Sequence, residues 1–292
     1  MTYHKAAVLG AIVADAAALG LHWIYDPARI DAIAAQHGTA AFTPLDPANF
    51  AGVPSYFAHG ARKDGQCSQY GEALRLARPC IGPDGFDVTA YQTRFAAHFG
   101  PGGTYSGYID RPTHGVLENL AAKVMAPSGI DDDQLPAIAR LPAVVAFGRP
   151  QDTLPAIQVT NVNDVATHYG QIFAGLLRDV LGGGDLLGAL NTAAQGAGDL
   201  TAALETAETD STAYGEVTQR ACHLPMAMPL AFHILKHSAD YREAVERNIR
   251  AGGDSCGRAM IIGAVMGAAH GIEGQGVPLE WVLKCEAAGE VL

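Results

Sequence analysis

The chain has 292 residues, 49% of them hydrophobic and only 17% charged, so most of it must pack into a sizeable core. Nineteen basic against thirty acidic residues leave a formal net charge of −11, which argues against nucleic acid or an anionic membrane as a partner. The five cysteines, Cys67, Cys80, Cys222, Cys256 and Cys285, form no Cys-x-x-Cys pair, a usage expected of a reducing cytoplasm.

From the start, helix follows helix. Met1–Lys5 lacks the basic region and cleavage site of a secretory signal, and Asp15 interrupts the apolar run behind it too early for a membrane span. A soluble, cytoplasmic protein is expected. Ala6–Leu19 predicts a helix with Gly10, Ala14 and Ala18 four apart, a bare stripe for a close neighbour. A short helix is expected after Pro27, to about Gln36. Gly38–Gly65, rich in Pro, Gly and aromatics, is then read as a long ordered connection that walls a site. Tyr70–Arg78, Val88–Phe99 and Thr113–Met125 predict further helices, with a turn-rich loop at Gly100–Pro112. Asp131–Phe147 is read as a proline-interrupted helix, and Asn163–Leu181 has amphipathic 3.6-residue spacing ended by three glycines. Asp185–Glu208 offers one or two small helices, and Pro225–His237 and Ala239–Asn248 one each. Strand-like alternation is almost absent, so residues 1–292 are read as one all-α domain, a compact bundle of many helices.

The most informative stretch is Asn248–Arg258. Gly252-Gly253 breaks one helix, and Asp254 or Ser255 can cap the next, which runs to about Gly271. Gly263, Ala264, Gly267 and Ala268 give that helix a second small-residue stripe, which predicts contact with Ala6–Leu19.

These segments carry a family resemblance. Gly10–Asp15, Gly65–Leu74, Thr160–Asp164 and Ala251–Asp254 with its small-residue helix resemble the ADP-ribosylglycohydrolase superfamily, which includes the J-type lens crystallins. The resemblance covers nearly the whole chain. It implies a compact many-helix bundle and, in active members, two magnesium ions that assist hydrolysis of an N- or O-glycosidic bond of ADP-ribose. It also implies metal motifs Thr-Asp-Asp-Thr and Gly-Gly-Asp-Thr-Asp-Thr, plus an acidic residue after the first helix.

This chain departs from those motifs. Ser68-Gln69-Tyr70-Gly71 stands at the first, Asp254-Ser255-Cys256-Gly257 ends the second, and His22 takes the place of the assisting acid. Magnesium requires hard oxygen ligands, so two magnesium ions of the family kind are not expected, and Asp254 alone remains for a single metal. The Gly252–Asp254 and Arg258 pattern is similar to the crystallin-like branch.

Candidate site residues follow from helix ends and turn-rich loops. Asp254, Glu72 and Asp110 are the expected acid–base groups. His22, Trp23, Tyr70, Tyr108, Asn163, Cys222, His223 and Arg258 are the expected substrate-binding set, with Arg258 one turn after Asp254 and facing the same side. Each has a plainer reading: Glu72 favouring a helix dipole, Asp164 as a cap, Asn161 and Asn163 as turn residues, and the aromatics filling the core. Cys222-His223 suggests a thiol and its base, but neighbours in sequence seldom face each other on a helix. His233 and His237 are read as surface or capping residues. Two functions are carried forward: a hydrolase of a glycosidic or related C–N bond, with altered or absent magnesium, acting on a small-molecule or ADP-ribosyl substrate, and a non-catalytic, crystallin-like binding or structural protein on the same fold.

Overall fold

The computed structural model describes residues 2–291. Fifteen α-helices follow one another within them: α1 Tyr3–Ala18, α2 Pro27–His37, α3 Gln69–Ala77, α4 Val88–Phe99, α5 Arg111–Ala121, α6 Leu141–Phe147, α7 Thr153–Gln158 and α8 Asp164–Leu181. After these come α9 Leu186–Ala193, α10 Gly198–Glu205, α11 Ser211–Val217, α12 Leu224–Lys236, α13 Tyr241–Ala251, α14 Ser255–His270 and α15 Leu279–Val282. Strand among the described residues is limited to one hairpin, β1 Ile81–Gly82 and β2 Gly85–Phe86.

Two helices that are apolar almost all round form the centre, as helices buried on every side must be. In α1 every residue from Ala6 to Ala18 is buried, and in α14 every residue from Ser255 to Ala268. Their small-residue stripes meet as expected, backbone against backbone. A methyl group on Gly10 would lie 2.2 Å from Gly263 O, and one on Gly267 would lie 2.2 Å from Ala6 O. Only glycine permits that approach. By length and composition Tyr3–Leu21 could cross a membrane, but this segment is 89% buried inside the bundle, which accounts for its hydropathy.

Amphipathic helices surround the pair. On α13, Ala244, Val245, Asn248, Ile249 and Ala251 face inward, while on α8 the buried residues recur every three or four positions from Ala166 to Val180. Helices α3, α6, α8, α12 and α13 all touch α14. Arg140 is fully buried and crosses between segments, donating to Tyr91 Oη, Pro136 O and Thr160 Oγ1.

Several element boundaries differ from the sequence expectation. Thr113–Met125 becomes Arg111–Ala121, since Pro112 fits the first turn and Asp110 caps it. Asp131–Phe147 is helical only from Leu141, after a 3-10 turn at Leu135–Ala137. Helices α7, α11 and α15 and the hairpin are too short for their periodicity to register in sequence. His233 lies in the core rather than at the surface, stacked on Tyr214 at 4.4 Å and bonded to Ser211 Oγ.

Candidate active site

The site grows from the break between α13 and α14. Gly252 and Gly253 adopt φ values of 78° and 66°, and a methyl on Gly253 would sit 2.1 Å from Arg220 O. This turn is laid against the end of the first helical segment, where Trp23 N–H donates to Gly253 O and Gly253 N–H donates to Ile24 O. Asp254 follows as the cap of α14, Oδ1 accepting from Gly257 N–H at 2.9 Å. Its other oxygen, Oδ2, accepts from Tyr70 Oη–H at 2.9 Å.

Tyr70 lies in the first turn of α3, whose cap Ser68 is held by Asp15 of α1 through both its N–H and its hydroxyl. Beside Tyr70, Gln69 exchanges two hydrogen bonds with Asp110. Its Nε2 donates to Oδ2 at 2.7 Å, and its Oε1 accepts the Asp110 N–H at 2.8 Å. Asp110 caps α5 with its remaining oxygen, on Thr113 N–H. Burial pushes Asp110 up to about 6, and the Asp254 charge acts in the same direction. Burial likewise raises Asp254, against the bonds from Gly257 and Tyr70.

His22 accepts the Cys256 N–H at Nδ1, 3.2 Å away, which fixes the neutral imidazole with its proton on Nε2. That Nε2 stands 3.9 Å from Asp254 Oδ1, beyond direct hydrogen bonding. Trp23 stacks on His22 at 4.3 Å and on His59 at 5.4 Å, and meets Tyr108 edge-on at 4.8 Å. Its backbone is held at φ 67°, a left-handed conformation that costs a bulky residue about 1–3 kcal/mol. Hydrogen bonds at both its N–H and its carbonyl, to Gly253 and Tyr56, keep it there. Desolvation holds both His22 and His59 well below the usual imidazole range, so both are neutral at pH 7.

Seven of the predicted residues therefore share one neighbourhood: Asp254, Tyr70, His22, Trp23, Tyr108, Asp110 and Cys222. Cys222 is half-buried, donates to Gln134 Oε1 at 3.1 Å, and is pushed up to about 12 by burial and then by the Asp254 charge. The other four predicted residues make their hydrogen bonds to other partners, although the Arg258 charge still acts on His22 and Asp254. Glu72 is in the same helix as Tyr70 but binds Arg62, Arg75 and His98; burial alone would raise it, but those three partners bring it down to about 2. Asn163 caps α8 and donates to Asp131 at the surface. His223 is engaged with Asp133 rather than with the Cys222 thiol. Arg258 is fully buried, yet its guanidinium leans back along α14 to Asn248 O and Oδ1 and to Gly252 O, closing the end of α13.

Sequence reasoning missed His59, which is buried and comes from the aromatic-rich connection already read as a wall. It also missed Tyr25 and Tyr56 at the exposed edge of the same cluster. Five buried polar atoms around Asp254 have no partner among the described residues: His22 Nε2, both ring nitrogens of His59, Ser255 Oγ and Arg258 Nη1. Unpartnered groups of this kind are costly unless a ligand or water engages them, at about 1–3 kcal/mol each.

The donor set does not suit a pair of magnesium ions. Gln69 and Tyr70 present N–H and O–H groups to the two remaining carboxylates, where a cation would need oxygen lone pairs. Cys256 Sγ is turned toward Asp15 O, at 3.6 Å.

Fold and site together define a helical protein whose centre is a carboxylate at the start of a buried, glycine-faced helix. A sequence model of the ADP-ribosylglycohydrolase family matches residues 4–292, and the chain belongs to that family. Crystallin J1A of Tripedalia cystophora is 27% identical over 311 residues, covering 99% of this chain and 93% of that protein. Crystallin J1B of the same animal is also 27% identical, over 320 residues, with the same coverage. A solved structure described as an ADP-ribosylglycohydrolase-related protein complex is similar at a TM-score of 0.63 and 20% identity, covering 99% of this chain and 95% of that one. That last likeness is one of fold.

Proposed function

We propose that this protein is a hydrolase of the ADP-ribosylglycohydrolase type, acting on a glycosidic C–N bond of a small or ADP-ribosyl substrate without a magnesium pair. One observation carries the reading: Asp254 and Asp110 are buried in one neighbourhood, each held by a neutral donor, Tyr70 and Gln69, where the family motif would supply metal-binding carboxylates. Asp110, raised to about 6, is available as the general acid that protonates the leaving nitrogen. Asp254 accepts the proton of the attacking water. His22, His59 and Ser255 offer their unpartnered atoms to substrate hydroxyls, and Trp23 and Tyr108 form the wall a planar group stacks on. A cytoplasmic location belongs to the same reading, supported by five free cysteines.

The second reading is a non-catalytic binding protein. It is favoured by the four oxygens of Asp254 and Asp110, each of which already accepts a hydrogen bond, and by the crystallin relatives. Incubating the protein in EDTA with N- and O-linked ADP-ribosyl compounds and simple N-ribosides, and separating the products, distinguishes the two. Release of the free sugar in EDTA is expected, with a loss of about 10²–10⁴-fold in Asp254→Asn and in Asp110→Asn. Turnover that requires magnesium, or calorimetry with two tightly bound magnesium ions, would rule out metal independence. Binding of these compounds without any turnover would establish the second reading.

A further inference from the structure

Within the core, two thiols meet on one backbone carbonyl of α1. Cys67 Sγ lies 3.7 Å and Cys285 Sγ 3.8 Å from Ile12 O, both buried. The remaining nearby thiol, Cys256, is directed at a different carbonyl, that of Asp15. Cys67 directly precedes Ser68, the cap of the helix that carries Gln69 and Tyr70. Cys285 opens the 3-10 turn Glu286–Glu290. Three hydrogen bonds latch that turn over the pair: Glu286 N–H to Gly65 O at 3.0 Å, Gln66 Nε2 to Glu286 Oε2 at 3.0 Å, and Arg75 Nη1 to Glu290 Oε2 at 2.6 Å.

We propose that Cys67 and Cys285 are a dithiol–disulfide pair, and that oxidation joins the Glu286–Glu290 turn covalently to the loop that starts α3. The neighbouring Cys285 thiol and burial together push the Cys67 thiol well up, and both sulfurs are buried out of reach of an oxidant while the latch is closed. Oxidation proceeds when the turn lifts and exposes Cys285. The Cys285 thiolate attacks hydrogen peroxide, forming an S–O bond and releasing hydroxide, which leaves a sulfenic acid. Cys67 sulfur then displaces the sulfenic oxygen as water, and the S–S bond forms. Two thiols thus give up two hydrogens and two electrons, and one peroxide becomes two waters. The product ties the segment that starts α3, two residues before Gln69 and three before Tyr70, to the Glu286–Glu290 turn.

The test is non-reducing peptide mapping of the full chain after hydrogen peroxide treatment and alkylation, with half-buried Cys222 as the internal measure of exposure to oxidant. A linked Cys67–Cys285 peptide is expected, with a raised melting temperature that dithiothreitol reverses and that Cys67→Ala and Cys285→Ala each abolish. Because latch opening limits the rate, oxidation should saturate with peroxide concentration, and Glu290→Gln should speed it several-fold. A parallel refolding from denaturant in a glutathione redox buffer bypasses the latch and should give the same linkage. Recovery of Cys67 and Cys285 as separate alkylated thiols in both arms, or linkage of Cys67 to Cys256 instead, would overturn the pairing. An unchanged rate in Glu290→Gln would overturn the latch.

Discussion

Asp15 lies inside α1, held by the Ser68 N–H and hydroxyl with the Cys67 thiol beside it, and pairs with no cation among the described residues. Burial outweighs those bonds and raises it from an ordinary 3.8 to about 7. The folded protein therefore holds this proton more tightly than the unfolded chain. The advantage is fully present below about pH 4 and is lost as pH rises to about 7, with a slope up to about 1.4 kcal/mol per pH unit. Asp110 adds the same trend between about 4 and 6. Asp15→Asn can still accept from Ser68 N–H and donate to its hydroxyl, so denaturant midpoints of this variant should decline less between pH 4 and 7 than those of the parent. A parallel decline in both proteins would show that Asp15 is not the titrating group. At this scale the sequence was only partly legible. Their places at helix ends pointed Asp254, Tyr70 and His22 to one centre, whereas the spacing that set Arg258 on the same side as Asp254 did not anticipate its guanidinium bending back to Asn248 and Gly252. His59 escaped because an irregular loop carries no period.

Among elements, the contact between α1 and α14 was the most readable, because small residues four apart have few other uses in a buried helix. Gly10 and Gly263 each face the other's carbonyl oxygen, at 2.2 and 2.3 Å from where a methyl would stand. Gly10→Ala and Gly263→Ala should each lower stability by about 1–3 kcal/mol or more, because backbone rather than a flexible side chain must move. Thermal melts of the two variants check this, and unchanged midpoints in both would mean the helices separate at little cost. The same packing explains why α13 ends where it does. The Arg258 guanidinium fills the space beneath its last turn and takes up the carbonyls that a helix end leaves free. The hairpin at Ile81–Phe86 was not readable, since two residues per strand give alternation nothing to act on.

Over the whole molecule, Glu72 gathers what the bundle leaves apart. It binds Arg62 from the long connection, Arg75 from its own helix and His98 from α4, and Arg75 in turn reaches Glu290 near the last turn. Arg62 also donates to Cys67 O and lies over the Tyr105 ring. Glu72→Ala leaves these partners without their carboxylate, and a loss of about 3–5 kcal/mol is expected. Glu72→Gln keeps the shape and removes only the charge, so urea midpoints of the two variants separate packing from charge. Equal stability of Glu72→Ala and the parent would show that the three segments are held by other contacts.

The left-handed placement of Trp23 has an optical consequence. The chain has two tryptophans, and Trp281 sits apart, edge-on to Phe42 and Tyr241 with the Arg242 guanidinium over its ring. Trp23 alone rests on two imidazoles, so its emission depends on whatever those rings are bonded to. In Trp281→Phe the remaining fluorescence becomes a direct gauge of the centre, needing neither label nor substrate chemistry. Any compound that engages His22 or His59 should change its intensity, and a library can be screened by light before a single product is known.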